Sequence, residues 1–457
     1  MHWFVPLLHR FTPLMHWFAP LLHRFAPLMH RFVPLLHWFA PLMHRFVPLL
    51  HRLAKTNLHK NDLIMVLDIT KPKDYVDLAT SLSKELAQSA VERDAKAGVP
   101  EEEINKLRES GLLPLIVPKQ YGGIGATWID ALKIVRKLSK ADGSIGQLYG
   151  NHLNLTALGH VSGTPAQKEK YYRETAKNNL FWANAINTKD TRLKINPEGE
   201  NFRVNGVKSF GTGISVADYR VFSALEDGVE LPFIFIIPKD REGLVSNQDW
   251  DNIGQRRTDS GSYTFNNVLV EKDEILGPPN PADSAFSTFL GIIAQLTKTN
   301  VYLGITKGAF AAARDYTKTT TQPWITSGVD SATQDPYILH HYGDFWIEIQ
   351  AAIALADQAA EKVQAAWYKD AELTHQERGE VAIAVSAAKA LATRVGIDIT
   401  NRIFEVTGTR ATATKYGFDR YWRDLRTFTL HDPVDYKLRA IGDWVLNDQL
   451  PVITQYS

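Results

Sequence analysis

Residues 249–270, DWDNIGQRRTDSGSYTFNNVLV, contain the stretch that decides the fold. Its second half, SGSYTFNNVLV, alternates apolar and polar residues, as is typical of a β-strand with one buried face. Similar stretches precede it over residues 181–238, with turn signals such as Asn205-Gly206 between them. We therefore predict a β domain over residues 179–283.

Helical patterns lie on both sides of this region. Before it, a helical spacing of apolar residues ends near Gly98-Val99-Pro100, and it involves Val76, Leu78, Leu82, Leu86 and Val91. After it, long alanine-rich stretches predict a helical bundle, at about residues 284–321, 334–369, 375–407 and 434–447. The predicted class is α+β, mainly α. An N-terminal α-helical domain (65–178) and a C-terminal four-helix bundle (284–457) flank a central β-barrel or β-sandwich, which is an uncommon order.

The segment 1–64 differs from the rest of the chain. From His2 to Leu50 the motif H-[WR]-F-[VTA]-P-L-[LM] occurs seven times, and its prolines and arginines argue against a membrane-spanning helix. We interpret residues 1–64 as a low-complexity heptad-repeat N-terminus that is disordered or artefactual. Metal binding by its regularly spaced histidines and a membrane-surface tail are the alternatives.

Composition narrows the functional classes. The 457-residue chain has a net charge of +1, and residues 1–52 hold five arginines and no acidic residue, so the remainder carries −4. This balance gives no electrostatic signature of nucleic-acid or membrane binding. The lack of cysteine excludes disulfides, thiolate catalysis and cysteine-ligated metals, and we predict no metal site. We expect a cytoplasmic enzyme without membrane or nucleic-acid partners.

Many ordered stretches between Val76 and Ser457 resemble the acyl-CoA dehydrogenase superfamily, and within it the group of FMNH2-dependent dibenzothiophene monooxygenases and sulfur-acquisition oxidoreductases. They include LRESGLLPLIVPKQYGG (107–123), NGVKSFGTG (205–213), the stretch 249–270, FEVTGTRAT (404–412) and LHDPVDYK (430–437). The resemblance implies the acyl-CoA dehydrogenase fold. It also implies a homotetramer with a flavin between the β domain and the bundle, in a pocket that a second subunit completes.

The resemblance further implies a two-component monooxygenase. A separate NAD(P)H:flavin reductase would supply reduced FMN (FMNH2), and the flavin C4a-hydroperoxide formed with O2 would oxygenate a small apolar, organosulfur substrate. The chain has no glycine-rich βαβ fingerprint for NAD(P)H, which agrees with a separate reductase. FAD is the alternative flavin.

Family positions that contact the flavin can be assigned to this chain residue by residue. The implied cofactor-binding residues are Asn151, Asn184, Ala185, Asn187, Lys208, Ser209, Phe210, Gly211, Thr212, Lys318, Gln322, Thr409, Arg410 and His431. The implied catalytic residues are His431, Asn184, Thr212 and Trp250. Amide, hydroxyl and imidazole groups supply fixed hydrogen bonds in a site without water. His431 is the expected proton carrier, since its ordinary pKa of about 6.5 lies near neutrality.

Three positions depart from the family pattern. Gln147 and Asn151 replace a histidine and a tyrosine of the desulfurising enzymes, and an amide cannot transfer a proton at neutral pH. Gln322 replaces the arginine that binds the FMN phosphate. Lys318, four residues earlier, would share its face on a continuing helix and supply that charge.

Two other functions stay open at this point. In an FAD-dependent acyl-CoA dehydrogenase, Asp432 would be the base that removes a proton α to a thioester carbonyl, although aspartate is one methylene shorter than the glutamate usual there. A non-catalytic family member, kept for binding or assembly, is the second alternative. The changes at Gln147, Asn151 and Gln322 favour it, whereas the intact KSFGT motif, Arg410 and His431 oppose it.

Overall fold

The computed structural model describes residues 74–277 and 284–457. The heptad repeat and the predictions made for it lie outside the described residues. Within them, helices come first, then strands, then helices again, so the predicted α+β, mainly α, class is confirmed. None of the described helices combines the length and the apolar character that crossing a bilayer requires.

The first helical part precedes the strands. Its helices are α1 (Asp74–Gln88), α2 (Ala90–Lys96), α3 (Glu101–Glu109), α4 (Trp128–Ala141), α5 (Gly143–Thr156), α6 (Leu158–Ser162) and α7 (Pro165–Asn178). The predicted break at residues 98–100 separates α2 from α3. Leu78 was expected on the buried face but is exposed, because α1 buries Ala79, Leu82 and Leu86 instead. Asp142 begins α5 as its N-cap, since its Oδ1 accepts hydrogen bonds from the amides of Ser144 and Ile145.

The strands form two small sheets. They are β1 (Trp182–Ala185), β2 (Lys194–Glu198), β3 (Asn201–Lys208), β4 (Tyr219–Ala224), β5 (Phe233–Pro238), β6 (Leu244–Ser246) and β7 (Tyr263–Val270). One sheet has the order β1-β4-β5 and the other β2-β3-β7-β6, and only β1 and β4 pair in parallel among the described strands. The second half of the stretch 249–270 is β7, as predicted, whereas β6 was not predicted.

The last part consists of long helices. They are α8 (Phe289–Thr319), α9 (Pro336–Lys369), α10 (His375–Thr407), α11 (Asp419–Thr429) and α12 (Asp435–Asn447). Helix α8 packs against α10 on one side and against α4 on another, so it is buried almost all round. Gly304 permits the contact with α4, because a Cβ there would lie 2.5 Å from the carbonyl oxygen of Arg136. The three domain limits stay predictions.

Candidate active site

The end of β1 meets the segment that follows β3. Asn184 lies on β1, and its backbone forms a bridge with that of Thr212. Thr212 is buried, with its Oγ1 2.9 Å from Ser260 Oγ, which in turn lies 2.8 Å from Thr258 Oγ1. Two of the predicted catalytic residues therefore lie together, and a chain of buried hydroxyl groups fixes the threonine. Ser260 and Thr258 were not predicted as part of the site.

Lys208, Ser209, Phe210 and Gly211 form a rigid segment at the end of β3. The Lys208 Nζ donates to the carbonyl oxygen of Asp190 at 2.9 Å, and the Ser209 amide donates to the Asp190 carboxylate at 2.9 Å. Burial lowers the pKa of Lys208 to about 8, with Asp190 opposing the decrease. Gly211 lies so close to Tyr263 that a Cβ would come within 2.4 Å of the ring. Phe210 has a φ of 61° and exposes 58% of its surface, so its ring is available to a ligand.

Ala185 and Asn187 shape the chain beyond β1. Ala185 is fully buried at the strand end, so it offers no exposed surface to a ligand. Asn187 begins a turn, in which its Oδ1 accepts a hydrogen bond from the Lys189 amide at 3.2 Å. The predicted contact of Ala185 and Asn187 with a flavin stays a prediction.

Trp250 is half-buried, and its indole is already engaged. Its Nε1 donates to the carbonyl oxygen of Gln255 at 2.9 Å, and the Gln255 amide donates to Asp424 Oδ1 at 2.6 Å. Burial raises the pKa of Asp424 to about 7. The indole N–H is therefore used within the loop, the Gln255 amide connects the loop to α11, and only the ring face of Trp250 remains for a bound ligand.

One face of α5 carries the two residues that depart from the family pattern. Ser144 and Leu148 contact the β domain, since Ser144 Oγ accepts from the Arg257 amide at 3.3 Å and Leu148 packs against Gly213. Gln147 and Asn151 follow Ser144 at helical spacings of three and seven, so they face the same side. The buried Gln147 Oε1 has no hydrogen-bond partner among the described residues. An unpartnered buried acceptor at this place fits a ligand that donates a hydrogen bond.

His431 and Asp432 lie in the turn between α11 and α12. The His431 Nδ1 is 3.1 Å from Asp432 Oδ1, and 39% of the imidazole side chain is exposed whereas the carboxylate is buried. Desolvation and the positive charge of Lys298 lower the pKa of His431 to about 4, with Asp432 opposing the decrease. At neutral pH the imidazole is therefore uncharged, and the expected pKa near neutrality is not found, so a proton taken up by His431 is held only transiently. Its Nδ1–H donates to Asp432, which leaves Nε2 as a proton acceptor.

Lysines on two helices lie beside Asp432. Lys389 Nζ on α10 lies 2.5 Å from Asp432 Oδ1, and Lys437 Nζ on α12 lies 3.6 Å from Oδ2. The His431 hydrogen bond, Lys389 and the positive charge of Lys298 on α8 hold the pKa of Asp432 well below its usual range, although burial opposes them. Burial lowers the pKa of Lys389, and Asp432 opposes that decrease. A carboxylate held in this way is a very weak base, which disfavours Asp432 as the base of a dehydrogenase.

The C-terminal segment 450–457 contacts both the chain just beyond β1 and the His431 turn. Gln455 Oε1 accepts from Thr188 Oγ1 at 3.0 Å, just beyond β1, and the Tyr456 ring lies 5.9 Å from the imidazole of His431. The buried Arg378 donates to the terminal Ser457 oxygen at 2.6 Å. This segment brings the β1 end and the His431 turn to the same neighbourhood. Sequence analysis missed it, because nothing in the local pattern of PVITQYS indicates where it packs.

Lys318, Gln322, Thr409 and Arg410 lie together at one end of the bundle, and all four are exposed. The end of α8 adjoins the end of α10, since Thr317 Oγ1 donates to the Val406 carbonyl oxygen at 3.0 Å. Helix α8 stops at Thr319, so the expectation that Lys318 and Gln322 share a helical face is wrong. The backbone turns at Thr320, with φ −133° and ψ −35°, and Gln322 lies in the loop beyond it.

These residues fit a flavin. Asn151 and Asn184 present half-buried amides for which no partner is found within residues 74–277 and 284–457, and Gln147 adds a buried acceptor. Such groups match the alternating donors and acceptors of an isoalloxazine edge. Arg410 and Lys318 carry the charge and the exposure that a phosphate requires.

Comparisons with known proteins agree with this architecture. The acyl-CoA dehydrogenase N-terminal domain profile matches residues 77–179, and the C-terminal domain profile matches residues 296–436. The chain is similar to the probable FMNH2-dependent monooxygenase SfnC of Pseudomonas putida, with 43% identity over 390 residues that cover 85% of this chain and 98% of the relative.

Two solved structures are similar over almost their whole length. The methanesulfinate monooxygenase MsuC from Pseudomonas fluorescens is 44% identical with a TM-score of 0.82, and the match covers 83% of this chain and 99% of that one. The complex of TdsC from Paenibacillus sp. A11-2 with FMN and indole is 37% identical with a TM-score of 0.81, covering 84% and 100%. The predicted fold and resemblance are confirmed: this chain belongs to the acyl-CoA dehydrogenase family, in the group that contains the FMNH2-dependent monooxygenases.

Proposed function

We propose that this chain is an FMNH2-dependent monooxygenase that transfers one oxygen atom from O2 to the sulfur of a small organosulfur compound. Overall, the substrate, O2 and FMNH2 give the oxygenated substrate, water and FMN. The bound reduced flavin supplies two electrons and the activation of O2. The similarity to SfnC and MsuC over nearly their full length supports this reaction class.

The His431 turn is the observation that carries the proposal. An imidazole that is neutral at pH 7 has its Nε2 free to hold or pass a proton, while the neighbouring Asp432 carboxylate is bound to Lys389. Oxygenation needs such a proton carrier, whereas dehydrogenation of a thioester needs a free carboxylate base. The arrangement therefore favours the monooxygenase over the FAD-dependent acyl-CoA dehydrogenase.

The other predicted catalytic residues bind and orient the ligands. In this proposal Asn184 and Thr212 hold the ligand by hydrogen bonds, and the hydroxyl chain through Ser260 keeps Thr212 from reorienting. Trp250 contributes its ring face. Gln147 and Asn151 select the substrate by hydrogen bonding, so proton transfer falls to His431.

In the proposal, FMN binds with its phosphate at the Lys318 and Arg410 end of a neighbouring subunit in a homotetramer. Helices α9 and α12 and the loop between α8 and α9 expose large apolar side chains, among them Trp324, Ile325, Tyr337, Ile347, Val445 and Leu446. Apolar surface of this kind marks protein interfaces. A tetramer would cover this apolar surface and would bring Arg410 of each subunit to the flavin of a neighbouring subunit.

The reductant is proposed to come from a separate NAD(P)H:flavin reductase, since no NAD(P)H fingerprint occurs in this chain. We place the protein in the cytoplasm in this proposal because NAD(P)H is available there.

Single-turnover mixing tests the proposed function. Protein loaded anaerobically with FMNH2 is mixed with O2 and an organosulfur compound, and flavin absorbance and product are followed together. We expect a transient flavin spectrum before oxidised FMN appears, with product formed in proportion to protein. Immediate oxidation of FMNH2 with hydrogen peroxide as the only product would contradict the proposal.

A further inference from the structure

Helix α11 holds the loop that precedes β7 at three consecutive positions. The Arg423 guanidinium donates to the carbonyl oxygen of Ile253 at 2.7 Å, and Asp424 Oδ1 accepts from the Gln255 amide at 2.6 Å. Gly254 lies between these contacts and so close to the helix that a Cβ there would come within 2.0 Å of the Arg423 carbonyl oxygen. We call these three contacts the α11 clamp.

Gln255 is held in an unfavourable conformation. Its φ is 54°, which few residues other than glycine adopt. Its side-chain amide is buried, and neither polar atom of that amide has a hydrogen-bond partner among the described residues. Both features cost free energy and persist only where the surrounding contacts determine them, as at functional sites. The α11 clamp therefore holds Gln255 against its own preference.

The carbonyl oxygen of Gln255 orients two of the proposed catalytic side chains. It accepts from Trp250 Nε1 at 2.9 Å and from Thr258 Oγ1 at 2.8 Å. A carbonyl oxygen can only accept, so Thr258 donates to it, Ser260 donates to Thr258, and Thr212 donates to Ser260. The backbone of this one residue therefore fixes the indole of Trp250 and the direction of the Thr212 hydroxyl.

The clamp side chains are themselves held by other helices. Arg423 also pairs with Asp94 on α2, with its Nη2 2.5 Å from the carboxylate. Asp424 is buried against the start of α5, since a Cβ on Gly143 would lie 3.1 Å from its Oδ2. Packing of this kind gives a supporting residue a single position, which is what precise orientation of a site requires.

We propose that Asp424 is a positioning residue that, through the Gln255 backbone, holds the Trp250 indole and the Thr212 hydroxyl in place. The catalytic roles of Trp250 and Thr212 rest on the proposed function, but the orientation of their side chains does not. Burial raises the pKa of Asp424 to about 7, and both the charged and the neutral carboxyl group provide an oxygen that accepts from the Gln255 amide. A neutral carboxamide at this position should therefore serve equally well.

¹⁹F NMR of the full-length protein labelled with 5-fluorotryptophan tests the positioning, with the Trp250→Phe spectrum as assignment. In Asp424→Leu, which has no acceptor, we expect the Trp250 resonance to move by more than its line width. Single-turnover oxygenation of ethanesulfinate should fall by about 10- to 100-fold, because the Trp250 ring and the Thr212 hydroxyl are both displaced. Asp424→Asn keeps the acceptor and should resemble the wild type in both measurements.

A second variant reaches the same contact from the loop. Gly254→Ala pushes the loop away from α11 without changing the helix, and it should reproduce both effects. The double variant Asp424→Leu/Gly254→Ala should be no worse than the worse single variant, because both act through one contact. Arg426→Met is the matched control, since Arg426 lies on α11 but lines a groove towards α10 and α12. It should change neither measurement.

Three results would overturn the positioning role. They are an unmoved Trp250 resonance in folded Asp424→Leu, an equal loss of oxygenation in Asp424→Asn and Asp424→Leu, and losses that add in the double variant. Gly254→Ala keeps the test decisive if Asp424→Leu does not fold. The NMR measurement needs neither flavin nor O2. The expected resonance shifts in a protein that transfers no oxygen would therefore remove the monooxygenase and leave the positioning role.

Discussion

The His431 turn and the Arg410 end of the bundle both concentrate positive charge, but they differ in burial. At the turn, Lys389 and Asp432 are almost completely buried and joined at 2.5 Å. At the bundle end, Lys318 and Arg410 are exposed. Buried charges change stability and neighbouring pKa values, whereas exposed charges are screened by water until a ligand or partner covers them. Substitutions at the His431 turn should therefore lower stability or activity, whereas substitutions at the Arg410 end of the bundle should weaken only ligand binding.

The largest effect is expected for His431→Gln. Glutamine keeps a hydrogen-bonding group but cannot carry a proton, so oxygenation should fall by about 10²- to 10⁴-fold with FMN affinity unchanged. Steady-state and single-turnover product formation measure this. Trp250→Phe is the control, since it keeps an aromatic face and loses only the hydrogen bond to Gln255, so it should lower the rate far less. Equal losses in both variants would mean that His431 only packs.

Lys389→Met tests whether the buried pair stabilises the fold. Asp432 stays ionised because its pKa lies well below the usual range, so loss of Lys389 leaves a buried charge with one fewer partner. The free energy of unfolding should fall by about 3–5 kcal/mol in urea denaturation at pH 7. The double variant Lys389→Met/Asp432→Asn should regain most of this loss. A loss below about 1 kcal/mol in the single variant would contradict the account.

Arg410→Ala tests the exposed region. Loss of one charge-assisted hydrogen bond to phosphate should weaken FMN by about 10- to 100-fold, while the unfolding free energy stays the same. Fluorescence titration of FMN gives the affinity, and riboflavin, which lacks the phosphate, is the control ligand. If riboflavin binding weakens equally, Arg410 does not bind the phosphate.

Lys298→Met should raise the pKa of His431 from about 4 towards its ordinary value, because it removes a positive charge beside the imidazole. Desolvation, the largest cause of the low pKa, and the charge of Lys389 remain in the variant, so the change should be partial. NMR titration of ¹³C-labelled histidine in the flavin-free protein measures it, with the His431→Gln spectrum as assignment. In the folded protein His431 stays uncharged between about pH 4 and 6.5, where the unfolded chain binds a proton, so wild-type stability should decrease as pH falls through this window. An unchanged His431 pKa in Lys298→Met would mean that the Lys298 ammonium lies too far from the imidazole to affect its protonation.

The smallest effect is expected at Gln322. Gln322→Arg restores the family's arginine beside Thr409 and should strengthen FMN binding by a few-fold, since the new charge lies in an exposed loop. Lys318→Ala should weaken FMN by a similar factor if it compensates for Gln322. Unchanged FMN affinity in both variants would remove this loop from the phosphate site.

Sequence alone predicted the parts of this fold that depend on local pattern. The stretches at about 375–407 and 334–369 match α10 (His375–Thr407) and α9 (Pro336–Lys369) closely, because long periodic segments allow few alternatives. Strand β6 was missed because its three residues carry little periodicity, whereas α11 was overlooked although its eleven residues form three turns. The end of α8 at Thr319 was not predicted either, so the expectation that Lys318 and Gln322 share one helical face is wrong.

The candidate site was only half predictable. Asn184, Thr212 and His431 followed from the resemblance, and Asn184 and Thr212 do meet. In contrast, Lys298 and Lys389 look like ordinary solvated charges in an alanine- and threonine-rich sequence. Only the packing of α8, α10 and α12 around one turn reveals that they are buried beside Asp432. The place of Tyr456 is likewise set by tertiary contacts that no local pattern encodes.

Isotope labelling tests the central claim most directly. The protein is given FMNH2, ethanesulfinate and ¹⁸O2, and the product is analysed by mass spectrometry. The account predicts a sulfonate with one ¹⁸O atom per molecule and the second ¹⁸O atom in water. A product without ¹⁸O, or oxidation of FMNH2 with no sulfur product from sulfinate or thiophene substrates, would contradict the assignment of this chain as a monooxygenase.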